Sequence, residues 1–554
     1  MMLRNPLAIT SGLALLLAPA AAVADDDDAS TDALGELKGS DRVSAEEGDL
    51  DRSRANVFEK ERFFIDKLDT PDTEERTLFQ GNLVSSTFYY SESGGDAKGV
   101  GGGVGAASQF SRLFTDLRAQ LDARHIKGGR WQARLDLRGR VVTNPEDTTD
   151  SSVNGDTRVQ SGLTGETELE VKELWITRPG DRFDLFLGRQ YIADLGGMKI
   201  DGLRVDYAKS DRVTLLGFVG AYPLRGSRSI STDYPVLQRA NGDELGRTPP
   251  IAAGAGAAYR TTLSYGSAGA GTVAPLKGEK PRVYVTSTGY LRSSSKLDLY
   301  HFALIDLVSE GGFAANNLSA GINYRPAPAL RATLSLNHVD TETLEVQAQT
   351  FLEPADASRI RNDAALRRVS STQAQAGLSA SLGAAQEIEA SVALAARYRP
   401  DLAVTSGAGN YTFTSSTSVD VLAQLVHRNL RRTRLGVDGV RSFSVGEASS
   451  RSSYLGLRAF ASREFKQGRG SWEGEVGYTS TKDDGATGTL LFGRAKTSTL
   501  SATGTVYYRL KSALFLMGSF GVGSFGLSST TGAMTTTDPK VTTLSAFLRA
   551  AYRF

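Results

Sequence analysis

The chain has 554 residues, 23% of them charged, with a formal net charge of +1, 59 Gly and no Cys. Without cysteine there can be no disulfide, thiolate nucleophile, Cys-ligated metal or c-type haem, and four His offer little for another metal centre. No metal, cofactor or nucleic-acid partner is therefore expected.

Taken in order, Arg4 precedes an apolar run over residues 7–19 and then Ala22-Val23-Ala24, the layout of a secretory signal peptide over 1–24 with cleavage before Asp25. The run is too short for a retained spanning helix. No later window holds about eighteen apolar residues, which excludes a helical membrane protein. Residues 25–76 carry 18 acidic and 8 basic side chains, a net of −10, whereas residues 77–554 carry 44 acidic and 54 basic, a net of +10. The first of these stretches reads as an acidic periplasmic arm. Val57, Phe58, Phe64, Ile65 and Leu68 fall at helical spacing within it, which predicts a short amphipathic helix over 53–69.

From residue 77 on, the period changes to two. Leu113, Leu117 and Leu121 alternate with Asp116, Arg118, Gln120, Asp122 and Arg124. After the polar turn Lys127-Gly128-Gly129-Arg130, Trp131, Ala133, Leu135, Leu137 and Val141 alternate with Arg134, Asp136, Arg138 and Arg140. A dry sandwich interior does not take so many successive charges, because each buried charge needs a partner. One greasy face and one wet face instead suit a hairpin with lipid on one side and water on the other. Similar runs follow at about 166–178, 182–190, 202–209 and 212–222.

The last stretch, 541–554, sets Leu544, Ala546, Leu548, Ala550, Tyr552 and terminal Phe554 against Thr543, Ser545, Phe547, Arg549, Ala551 and Arg553. It resembles the closing strand of bacterial outer-membrane β-barrels of porin type. That resemblance implies outer-membrane residence, lipid and lipopolysaccharide as surroundings, and recognition of the strand ending at Phe554 by the barrel-assembly machinery. Residues 173–206, with Gly188-Arg189-Gln190, resemble a region of porins and of alginate-export barrels. By that resemblance Arg189 projects into the channel.

The fold class expected for 77–554 is thus all-β: a transmembrane antiparallel barrel with short periplasmic turns and long external loops. Single-chain bacterial barrels have an even strand count, and alternating short and long connections point to about twenty, with 18 or 22 open. Between 223 and 308 three candidate strands (252–265, 281–291, 297–308) compete for two places. The Gly/Ala-rich 252–265 is the weakest because Gly is poor in strands, so 223–280 is expected to be one long loop, external or folded inward. Tyr89, Tyr90, Tyr222, Tyr290, Tyr324, Tyr398, Tyr478, Tyr507, Tyr508 and Tyr552 fall near strand ends, where interface girdles belong.

The expected pore lining is Arg118, Arg124, Arg134, Arg138, Arg140, Arg397, Arg399 and Arg549, with Asp116, Asp122, Asp136, Glu387 and Glu389 among them. Arginines on that face can grip small anionic solutes, or they can pair with acids across the strands and merely stiffen the wall. The leading expectation is a passive porin with mild anion preference. An exit channel for an anionic polysaccharide and a structural or adhesive surface barrel stand as alternatives. His338-Val339-Asp340 is the one local arrangement that could serve an enzyme, and no enzyme is expected.

Overall fold

The computed structural model describes residues 77–93, 110–142, 168–223, 237–238, 244–246, 249–261, 263–274, 281–294, 296–309, 312–341, 369–383, 385–406, 409–413, 415–445, 452–466, 469–483, 494–511, 513–531, 534–537 and 540–554. The signal peptide, the acidic arm and the 53–69 helix lie outside the described residues.

Twenty-two antiparallel strands form one closed sheet. In chain order they begin with β1 (Leu78–Ser93), β2 (Phe110–Arg124), β3 (Gln132–Val142), β4 (Glu168–Pro179), β5 (Phe183–Ile192), β6 (Met198–Ala208) and β7 (Val213–Ala221). Next come β8 (Ile251–Arg260), β9 (Ser264–Val273), β10 (Arg282–Ser294), β11 (Leu297–Val308), β12 (Ala314–Ala327), β13 (Leu330–Thr341) and β14 (Val369–Leu382). The wall ends with β15 (Ile388–Arg399), β16 (Ser416–Leu430), β17 (Thr433–Val445), β18 (Ser452–Phe465), β19 (Gly470–Asp483), β20 (Arg494–Lys511), β21 (Leu514–Thr531) and β22 (Val541–Arg553). Each strand pairs with its sequence neighbours, and β1 also pairs with β22 from Asn82↔Arg553 to Ser93↔Thr542.

The connections sort by rim. At one rim successive strands are separated by few residues, as at 209–212, 328–329 and 431–432, and at the other by many, as between Ser93 and Phe110, Val142 and Glu168, Ala221 and Ile251, and Thr341 and Val369. At 431–432 both turn residues, Arg431 and Arg432, are left-handed (φ 52° and 65°), a conformation that favours Asn or Gly.

The strand count is the upper of those that the alternation left open. The single loop expected over 223–280 is corrected: β8 and β9 form a hairpin there, paired to β7 on one side and β10 on the other. Its glycines are wanted for room. A Cβ on Gly254 would come within 2.6 Å of the Phe218 ring, one on Gly269 within 2.3 Å of Leu195 Cδ2, and one on Gly271 within 2.3 Å of the Tyr284 hydroxyl. Close packing outweighs weak strand propensity, which depends on context in any case.

The two faces of the sheet are inverted relative to a soluble protein. On β22, Leu548 is 61% exposed, and Leu117, Val476, Leu500 and Phe520 are likewise exposed. The alternate set on neighbouring strands includes Asp136, Arg140, Arg204 and Asp206, all buried. In a closed barrel the shielded face is the inner one, so the polar set points inward. Beside it lies a small inner core of Ile192, Leu195, Met198, Ile200, Leu216, Phe218 and Tyr284, lining β5–β10. By register, Tyr89, Tyr324, Tyr398, Tyr478, Tyr508 and Tyr552 fall on the outer face, whereas Tyr90, Tyr290 and Tyr507 fall on the inner one.

Gly269→Val should overpack this inner core and lower stability by about 1–3 kcal/mol in a urea titration of the refolded barrel. Arg432→Gly should raise it by about 1 kcal/mol in the same titration, since the left-handed turn residue is relieved of strain.

Candidate functional site

Strands β2, β3 and β4 put ten interacting polar groups on one stretch of inner wall. Arg118 and Arg138 stand directly opposite one another in register, as do Asp122 with Arg134 and Asp116 with Arg140. The like pair is relieved diagonally. Arg118 donates from Nε and Nη2 to both oxygens of Asp136 (2.9 and 2.6 Å), and Gln120 adds a donation to the same carboxylate (3.1 Å). Arg138 donates to Asp116 (3.0 Å) and Glu170 (3.3 Å), while Arg140 donates to Asp116 from Nε (2.8 Å) and lies over the Phe114 ring. Arg134 pairs with Glu173 at 2.7 Å and, more loosely, with Asp122 at 3.9 Å. Register shifts between Asp136 and Leu137, where Lys172 is left without a partner on β3. That bulge puts both Glu173 and Glu170 on the inner face. Arg118, Arg134, Arg138 and Arg140 thus each pair with an acid across the strands. Arg124, at the end of the same inner row, is opposite Leu78.

The link between β5 and β6 builds a second cluster. Its 3-10 turn, Ala193–Leu195, ends on left-handed Gly196 and Gly197 (φ 77° and 73°) and folds onto the inner wall, where Leu195 is fully buried. Asp194 anchors it. The Tyr265 hydroxyl donates to the Asp194 carboxylate, Ser267 Oγ donates to its backbone oxygen at 2.9 Å, and Arg260 lies 3.6 Å from it. Arg204 bridges Asp194 (3.4 Å) and Asp206, donating to both oxygens of the latter at 2.8 Å. The Arg204 side chain is 3% exposed, so these are desolvated charges held by mutual satisfaction. Farther along, Arg282 donates to Asp306 at 2.9 Å. Sequence reasoning missed this cluster, because Asp194 and Tyr265 are 71 residues apart and meet only through the closed sheet. The one signal was charge standing beside a Gly/Ala-rich stretch.

Arg189 is the clearest correction among the sequence-derived site residues. It does not project into the channel. By register it lies with Leu185 and Leu187 on the outer side, opposite Asp201, and it is 4% exposed. It donates to both Asp201 oxygens at 2.6 Å and to the Val171 carbonyl at 3.1 Å. The reason is local. Pairing of β4 with β5 stops at Leu174↔Arg189, and Gly188 (φ 126°) passes so close to Leu174 that a Cβ would sit 2.2 Å from its carbonyl oxygen. The Arg189 guanidinium supplies donors where the ladder has ended.

Three expected lining residues differ from the rest. Arg397 donates to the Gln373 side chain at 3.3 Å, Arg399 lies beside Arg397 opposite Ser416, and Arg549 is exposed between Ser86 and Met517. None of the three forms an ion pair with a described residue. Glu389 pairs with Arg428 at 3.0 Å.

His338 turns outward by register, and its Nδ1 meets Thr372 Oγ1 at 2.8 Å. Ser287 and His301 also touch on the outer face (2.9 Å), but no described carboxylate reaches His301. Among the described residues there is no group of three potential metal ligands.

No protein-family profile matches the chain, and no curated protein matches it by sequence. Similar solved structures include OccAB1 of Acinetobacter baumannii, at 8% identity and TM-score 0.37 over 86% of this chain and 97% of that one. OccK11 (OpdR) of Pseudomonas aeruginosa is similar at 12% identity and TM-score 0.33, over 88% and 99%. A loop-deletion form of OmpT, an outer membrane protein of Vibrio cholerae, is similar at 8% identity and TM-score 0.32, over 86% and 99%. The strand count here rests on the chain's own pairings.

Asp206→Ala should leave Arg204 with only the longer Asp194 contact and cost about 3–5 kcal/mol of unfolding free energy. Asp181→Ala, which removes a solvent-exposed pair with Arg130 at 3.0 Å, should leave the same unfolding midpoint essentially unchanged.

Proposed function

We propose that the chain is a porin-type channel of the bacterial outer membrane that passes small hydrophilic solutes with a mild preference for anions. The observation that carries this reading is the inversion of the sheet: leucines, valines and phenylalanines are exposed outside while arginines and carboxylates are enclosed. Only an apolar surrounding makes such a surface favourable, and only a wet interior makes the enclosed charges affordable.

A wall of twenty-two strands encloses more cross-section than its inward side chains can fill, so part of the bore stays open to water. The sign of selectivity comes from charge that is not already answered. Arg118, Arg134, Arg138 and Arg140 are neutralised by Asp116, Asp136, Glu170 and Glu173 within 3.3 Å and exert little net field on a permeant. Arg397, Arg399 and Arg549 keep theirs, and guanidinium holds its charge at any working pH. The tighter grip that an anionic polymer would need calls for a longer run of such arginines than these three supply.

In planar bilayers under a KCl gradient, the refolded protein should give stepwise conductance and a reversal potential on the anion-selective side. Replacing Arg397, Arg399 and Arg549 together by Ser should lower the anion-to-cation permeability ratio by about twofold or more, whereas R118Q/D136N, which removes a neutral pair, should leave it unchanged. Absence of conductance, or cation selectivity in the wild type, overturns the reading.

A further inference from the structure

The outer face carries one place where the sheet's own pairing logic is broken. Lys482 on β19 and Lys496 on β20 stand directly opposite in register, both exposed, on the side of Val476, Tyr478 and Leu500. Like charges directly opposite on a sheet repel. Inside the barrel the equivalent clash, Arg118 against Arg138, is relieved by Asp136 and Asp116 on the diagonals. Outside it is not. The flanking partners of the lysine row are Ser453 on β18 and Ser528 on β21, and the next row down reads Ser480, Ser498 and Gly526. Lys482 and Lys496 form no ion pair with a described residue. Arg441 on β17, also exposed and outward, sits in that lower row across from Leu455. Three cations thus share one outer patch with hydroxyl neighbours and no acid in either row.

Its height identifies what it meets. Trp472 lies on the same outer face of β19, near the tight-turn rim. From Trp472 to Lys482 is about 34 Å along an extended strand, or about 24 Å of height at a tilt of about 45°, which matches the apolar belt of a membrane barrel. With Trp472 at one edge of the belt, the lysines stand at the other edge, on the long-loop side and just above the exposed apolar row of Leu457, Tyr478 and Leu500.

We propose that Lys482, Lys496 and Arg441 form a binding site for the phosphate groups of an anionic lipid in the leaflet at the long-loop rim, with a phosphorylated glycolipid as the occupant. The phosphate oxygens supply the negative charge that the sheet omits, the opposed ammonium groups straddle one phosphate, and Ser480 and Ser498 offer hydroxyl donors below it. Acyl chains then lie against Leu457, Tyr478 and Leu500. A soluble anion could satisfy the charges but not that apolar surface. This site rests on the membrane-barrel reading proposed above, and is independent of whether the bore conducts.

The test compares full-length refolded wild type with K482S/K496S and with K482E in neutral detergent. Unfolding midpoints are recorded with diphosphorylated lipid A, with its dephosphorylated form, and with inorganic phosphate, and single-channel conductance is recorded alongside. Wild type should gain several degrees with the diphosphorylated lipid and much less with the other two. K482S/K496S should lose that gain while conducting as wild type does. K482E, which places an acid opposite Lys496, should lose the lipid-dependent gain and have a higher midpoint without lipid, so a poorly folding double variant does not decide the matter. An equal gain in wild type and both variants, or an equal gain from inorganic phosphate, overturns the proposal. Loss of conductance in wild type with the lipid effect intact would count against the channel and in favour of this site.

Discussion

Everything in this molecule depends on the hydrogen-bond ladder between its first and last strands. Asn82 to Ser93 meets Arg553 to Thr542, and the seam is completed by reciprocal backbone bonds between Gly81 and Phe554 at 2.8 and 3.0 Å. Gly81 leaves space for the terminal ring, since a Cβ there would come within 2.4 Å of Phe554. In apolar surroundings an unpaired backbone group costs several kcal/mol, so a sheet is tolerated there only when it has no edge. Closure is also what converts a period of two into an inside and an outside.

Once inside and outside exist, the inner charges obey a stricter rule than the outer apolar groups. Burying a charge costs more than its partner usually returns, so enclosed ions persist where several complementary groups converge. The Asp116–Arg138–Glu170 and Asp194–Arg204–Asp206 sets satisfy that rule in different ways. The first joins three neighbouring strands through diagonal cross-strand pairs. The second uses a folded-in connection, whose Asp194 and Leu195 bridge β6 to β8, β9 and β10. One side of the bore is thereby occupied by a packed, ion-paired cluster, while Arg397, Arg399 and Arg549 form no ion pair with a described residue.

Individual residues show where reading the chain by itself succeeds and where it stops. Alternation placed Arg118, Asp136 and Arg138 on one face, and Leu117 and Leu135 on the other, as they stand in the barrel. It also placed Leu548 outward and Arg549 inward, because in a paired strand the side chain's direction follows from its position alone. The same rule misplaced Arg189, where the Lys172 bulge and the left-handed Gly188 part the two strands and the guanidinium fills the gap. It failed at β8 and β9 because Gly and Ala there serve the volume of Phe218, Leu195 and Tyr284, which are contributed by distant stretches. Tyr90 and Tyr290 were assigned to an interface by nearness to strand ends, yet their parity turns them inward, and Tyr290 donates to Asp298 at 3.0 Å.

The amino-acid sequence alone determined the class of architecture, the face of most wall residues and the position of most turns, since all three follow from local backbone geometry and nearest-neighbour chemistry. Only the tertiary structure decided the strand number, which arginines are neutralised, where the connection at 193–197 goes, and that Lys482 and Lys496 confront each other. These depend on register between strands, a quantity set by packing and closure across the whole wall rather than by any one segment.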